Sequence, residues 1–160
     1  MKRILIIVGV VVVLAGIGIY FFFGALMKAA SRGDAAVAAL HRAYNANDTA
    51  AIHASASPAF REAVPLEKFT PFIDNLRQKL GEWKNSERTS VNLKTTNGKK
   101  FLELTCSATF AKGEGTEEFA FDYDGDEPLL IRYFVQSPAL IDKSVSAVQG
   151  KEGESKTPNP

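Results

Sequence analysis

Few side chains in this 160-residue sequence have the chemistry for a reaction or a ligand, and they fall into four groups. His41 and His53 are the only histidines, twelve positions apart on what read as two different helices. A zinc site needs further ligands at matching spacing. No third ligand has suitable spacing, so no metal is expected. His41 and Tyr44, one helical turn apart, can line the mouth of a pocket; the plainer reading of His41 is an ordinary, partly exposed histidine. Asp122, Asp124, Asp126 and Glu127 form the densest acidic group. A calcium loop of the EF-hand kind puts glycine at position six and glutamate at position twelve. Here the glycine comes too early and Tyr133 holds the last place, so Asp124-Gly125 reads as hairpin chemistry. Cys106 alternates with apolar residues and has no flanking histidine; reactive thiols sit in electropositive, partly open surroundings, so it reads as a buried structural thiol. Arg132 interrupts an apolar strand. A charge there is paired, with Glu103 or Asp122 as partners on neighbouring strands, or aimed into a cavity to meet an anionic ligand. Arg132, Tyr44 and His41 are therefore the candidate ligand-binding residues; no catalytic residue and no cofactor site is expected.

These side chains hang on elements that the sequence outlines. Asp34 is placed to cap a helix through Tyr44, with Val37, Leu40, His41 and Tyr44 at helical spacing. Asn45 to Asp48 breaks it. Asp48 or Thr49 caps a second short helix to about Ala56, which Ser57-Pro58 ends. Residues 59–64 read as a connecting turn. Pro65 opens a helix to Leu80 with Leu66, Phe69, Phe72, Ile73, Leu76 and Leu80 on one face, stopped by Gly81. Pro71 inside it predicts a kink or a restart.

After Gly81 the hydrophobic period changes from about 3.6 to 2. Strands are expected over 82–95, 99–111, 116–124 and 129–136. Asn97-Gly98 makes the first hairpin, and Gly113-Glu114-Gly115 and residues 124–128 make the later turns. On the second strand Leu102, Leu104, Cys106, Ala108 and Phe110 share one face. On the third, Phe119, Phe121 and Tyr123 face the core. The fourth is apolar on both faces apart from Arg132 and Gln136, which predicts a central or covered position. Trp83 reads as a core or rim aromatic. Residues 144–160 have the composition of a disordered tail.

Ile4 to Met27 is a run of 24 residues without charge, Asn, Gln or Pro. As a helix it would be about 36 Å long, enough for a hydrocarbon core of about 30 Å. It exceeds the apolar region of a cleaved signal peptide, and the only cysteine, Cys106, is far from a lipoprotein position. Residues 1–27 therefore read as an uncleaved signal anchor, 28–33 as a juxtamembrane linker, and 34–143 as one α+β domain. Lys2, Arg3 and the terminal amine oppose Lys28 and Arg32 across the span. That near balance tips toward a domain outside the cytoplasm, periplasmic in a bacterial cell. From Lys28 onward 17 basic and 18 acidic side chains nearly cancel, which gives nucleic acid no basic face to bind.

The helix, short helix, helix and four-strand order is similar to the NTF2-like superfamily of cone-shaped α+β domains, in particular small bacterial envelope members of unknown function. The residues that carry the likeness are Ala39-Leu40 before the break at Asn45 to Asp48, Ser57-Pro58-Ala59-Phe60-Arg61, the helix end Leu80-Gly81, and the last strand with Tyr133 and its closing Ser137-Pro138. They lie within residues 34–141. The resemblance implies about three helices on a curved four-stranded antiparallel sheet enclosing a cone-shaped cavity. Isomerase-type members place a carboxylate base and a tyrosine in that cone, and no Asp/Tyr pair here aligns to those positions. The expectation is thus a membrane-anchored, non-enzymatic accessory module that binds an envelope protein or a small ligand. The alternatives are an acid–base enzyme using the cone, and a structural subunit of a membrane complex.

Overall fold

A single helix, α1, runs unbroken from Lys2 to Asn45 in the computed structural model, which describes residues 2–123 and 127–141. The linker expected at 28–33 and the helix start expected at Asp34 are therefore both replaced by continuous helix. The reason is tertiary. Ala29 and Ala30 are buried, and Gly33 is pressed so closely on the sheet that a Cβ there would stand 2.6 Å from Leu102 Cδ2 and 2.7 Å from Leu104 Cδ1. That contact outweighs the roughly 1 kcal/mol by which glycine disfavours a helix. The burial stripe continues through Val37, Leu40, His41 and Tyr44. Upstream, residues from Val11 to Phe23 whose side chains are described are exposed on every side. Among the described residues this is the one helix long and apolar enough to cross a membrane.

Three further helices follow. α2 (Thr49–Ala54) is capped by Asp48, whose Oδ1 accepts from Ala51 N at 2.9 Å. α3 (Pro58–Ala63) occupies the stretch expected as a turn, because Ser57 Oγ accepts from Phe60 N and Pro58 suits a first helical turn. α4 (Leu66–Leu80) passes through Pro71 as one helix and ends at Gly81, whose φ of 74° favours glycine. Its Phe69, Ile73, Leu76 and Leu80 are buried, as their spacing predicted.

The sheet is an antiparallel meander in the order β1-β2-β3-β4, with β1 at Trp83–Thr96, β2 at Lys99–Phe110, β3 at Gly113–Asp122 and β4 at Leu129–Gln136. Asn97 and Gly98 both have positive φ, the signature of a tight hairpin turn. The second turn falls at Ala111 and Lys112, and Gly113 to Gly115 already belong to β3. Gly115 is there for proximity: a Cβ would stand 2.7 Å from Gln136 O. The tail over 144–160 and the residues Asp124, Gly125 and Asp126 lie outside the described residues.

β4 is an edge strand, so of the two positions expected, central or covered, the central one does not hold. Its outer side is partly sealed by the segment between α2 and α3: Ser57 N donates to Leu130 O at 2.9 Å and Leu130 N to Ser55 O at 3.2 Å. Its apolar residues are accordingly divided, with Leu130 and Val135 buried and Phe134 exposed. The core lies between the helices and one sheet face, with Leu102, Leu104, Cys106, Ala108, Phe110, Phe119 and Phe121 inward.

Candidate functional site

Glu117 lies on the inward face of β3 and is wholly buried. Strand alternation requires this, because positions 117, 119 and 121 share a face. A carboxyl group buried among phenylalanines must find hydrogen-bond partners, and it finds two. Tyr133, on the neighbouring strand β4, donates its hydroxyl to Glu117 Oε1 at 2.7 Å. His41 Nε2, from α1, stands 2.9 Å from Glu117 Oε2. Three elements thus meet at one acid. Burial raises the Tyr133 phenol well above the ordinary tyrosine range, and the charge and hydrogen bond of Glu117 push it the same way.

His41 is itself only 2% exposed. Trp83, at the start of β1, stacks on its imidazole with centroids 4.2 Å apart and planes at 14°. Phe119 meets the ring edge-on at 6.0 Å. The imidazole is therefore fixed by a carboxyl on one nitrogen and by aromatic walls. Its other nitrogen, Nδ1, is buried and has no hydrogen-bond partner; the same holds for Trp83 Nε1. Wherever the proton sits between Nε2 and Oε2, Nδ1 still lacks one partner.

Both rings line a cleft of about 420 Å³ between α1 and β1. Two irregularities in the β1–β2 register, between Trp83 and Asn85 and between Arg88 and Ser90, open the strand there. Ser86 and Arg88 pair with Ala108 and Cys106, so they stand on the core face, where β1 would otherwise be apolar. Arg88 Nε donates to Asp34 Oδ1 at 2.9 Å across the mouth. Cys106 is buried beneath, its thiol pushed up to about 11 chiefly by burial.

The residues singled out in the sequence scatter. His41 is at the centre, although its plain reading was a partly exposed side chain. Tyr44 is buried on the same helix but serves packing: its hydroxyl donates to Gly81 O at 2.9 Å, and Arg77 lies 5.1 Å from its ring centroid. Burial lifts its phenol to about 12. Arg132 is 57% exposed on the outward face, with Nη2 3.9 Å from Oε1 of Glu103, one of its two expected partners. His53 is remote from His41 and its Nε2 lies 2.8 Å from Val64 O. Among the described residues no three His, Cys, Asp or Glu side chains form a metal-holding group. Glu117 and Tyr133 were missed as a pair. The signal was present: Glu117 has the same strand parity as two phenylalanines expected in the core.

No protein-family model, curated protein or solved structure matches the chain.

Proposed function

We propose that the chain is a membrane-anchored binding module whose domain takes a small hydroxylated ligand in the cleft between α1 and β1. The observation that carries this is the pair of buried, unpartnered atoms, His41 Nδ1 and Trp83 Nε1, on two stacked rings that line one cleft. Buried polar atoms are nearly always paired. A ligand hydroxyl accepts from an indole N–H and gives to, or takes from, an imidazole nitrogen. Ser86, Arg88 and Asp34 supply further polar contacts at the mouth. The apolar stretch of α1 is the proposed anchor, with the domain on the extracytoplasmic side. Helices followed by a four-strand meander support kinship with NTF2-like domains.

The test uses Trp83, the only tryptophan, as reporter. Full-length protein in nanodiscs is screened against small sugars and polyols by saturation-transfer NMR and by tryptophan emission. Binders that shift the emission, and that are lost when Ser86→Phe fills the cleft, support the module. Binders indifferent to Ser86→Phe, or none at all, remove it. Protease access in intact cells tests the side of the membrane.

A second reading, an acid–base enzyme, is favoured by one observation: a buried glutamate joined to a histidine and a tyrosine. Turnover of a cleft ligand, abolished by Glu117→Gln in a folded protein, separates it from binding alone.

A further inference from the structure

Burial along α1 begins inside the apolar run. Leu26 is half-buried, whereas Phe23, Gly24, Ala25, Met27 and Lys28 around it are exposed. Two residues past the end of that run, Ala29 and Ala30 are already core. The domain therefore reaches the level at which the helix would leave the hydrocarbon.

The direction of the sheet shows which part reaches it. Gly33 of α1 lies against Leu102 and Leu104. Farther along α1, His41 stacks on Trp83, which pairs with Phe110, and Tyr44 meets the Phe110 ring. Helix α1 and strand β2 thus run the same way, and the start of β2, with the β1–β2 hairpin, points back toward the apolar run. From Leu102 to Gly98 is four residues, about 13 Å of strand. Six residues of helix, from Gly33 back to Met27, span about 9 Å. Even if helix and strand were inclined by about 45°, the hairpin tip would project about 9 Å and stand level with Met27.

The tip carries Lys99 and Lys100, both exposed, and Lys28 is exposed on α1 near the same level. Lys94 is paired with Glu103 at 2.7 Å. Strand β3 ends at Asp122 opposite Phe101, about 10 Å of strand behind the tip.

We infer that the β1–β2 hairpin rests on the lipid surface, with Lys99 and Lys100 among the headgroup phosphates, so that the domain is docked on the membrane as well as tethered to it. This rests on the reading of α1 as a membrane span.

The test keeps the full chain, on a Cys106→Ala background, in vesicles of phosphatidylcholine or of equal parts phosphatidylcholine and phosphatidylglycerol. An environment-sensitive dye is placed at Asn97→Cys, or at Lys112→Cys in the β2–β3 turn at the opposite end. Quenching by spin-labelled headgroups is then read. The expected result is strong quenching at position 97 and little at position 112. A lysine near an anionic surface is worth about fivefold in binding. Lys99→Glu with Lys100→Glu should therefore lift the tip and reduce quenching at 97 in the anionic vesicles, with the chain still floating with the lipid. A chain that floats but shows equal quenching at both positions overturns the docking. Quenching at 97 unmoved by lysine reversal overturns the role of the lysines. A chain that fails to float removes the span itself, a failure distinguishable from the other two.

Discussion

Replacing Glu117 by leucine would strand two hydrogen-bond partners at once. His41, 2% exposed, would lose the partner of Nε2 at 2.9 Å, and Tyr133 would lose the acceptor of its hydroxyl at 2.7 Å. A buried polar group left unpaired costs about 1–3 kcal/mol, and breaking a buried pair from one side costs about 3–5 kcal/mol. Glu117→Leu should thus destabilise the domain by about 2–5 kcal/mol. Glu117→Gln should cost far less, about 1 kcal/mol, because its amide oxygen still accepts from Tyr133 and its amide N–H can face the imidazole. Removing all three polar groups together, in Glu117→Leu with His41→Leu and Tyr133→Phe, should recover most of the loss, since an apolar replacement of a whole buried network is often neutral. The assay is urea unfolding of the full chain in micelles, followed by the circular dichroism of the sheet. Tryptophan emission is unsuitable here, because Trp83 stacks on His41 and would report the local change. If Glu117→Leu alone is as stable as the parent, or if the triple variant is no better than the single one, the account of three elements joined at one acid is refuted.

Gly33→Ala should destabilise the domain by about 1–3 kcal/mol, as overpacked cores do. The added carbon would meet Leu102 and Leu104, both fully buried; Gly24→Ala, with nothing within 4 Å, should leave domain unfolding unchanged. The phenols of Tyr133 and Tyr44 are both raised by burial, Tyr44 to about 12. Their neutral forms are favoured by folding, so their stabilisation is complete below the ordinary tyrosine value of about 10 and is lost as pH climbs above it. The tyrosinate absorbance of Tyr44 and Tyr133 should therefore lag and then rise together with alkaline unfolding; free titration of these two in a folded domain would contradict this. Cys106, with its thiol pushed up to about 11, should resist maleimide at neutral pH until urea unfolds the sheet. Asp48→Ala should cost about 1 kcal/mol through the lost cap on Ala51 N.

Periodicity carried most of the fold. The inward faces of β2 and α4, the Asn97-Gly98 hairpin and the stop at Gly81 could all be read because each depends on neighbours within a few residues. The failures share a cause in distant contacts. Residues 28–33 look like a polar connection until the burial of Ala29 and Ala30 and the sheet under Gly33 are known. The cover over the edge of β4 depends on Ser55 and Ser57 supplying backbone partners from more than seventy residues away. Arg132 and Glu117 illustrate the same limit in opposite senses. Both are charges in apolar strands, and the rule that such a charge needs a partner applied to each. Strand parity put Glu117 inward among phenylalanines. A register shift in β4, between the partners of Ala120 and Phe121, helps set which face Arg132 takes, and a sequence does not display a bulge. His41 could be noticed but not valued, because its importance comes from an acid 76 positions away.

The unbroken α1 has a mechanical meaning. An α-helix advances about 1.5 Å and turns about 100° per residue. With no swivel between the apolar stretch and the core, the azimuth of the domain is geared to the helix. One residue inserted after Met27 would turn the whole domain by about 100° and lift it by about 1.5 Å, while leaving its interior untouched. An insertion and a deletion of equal length would offset one another. If the apolar stretch is anchored as proposed, rotation or tilt of the helix would turn the whole domain with it, the cleft beside His41 included.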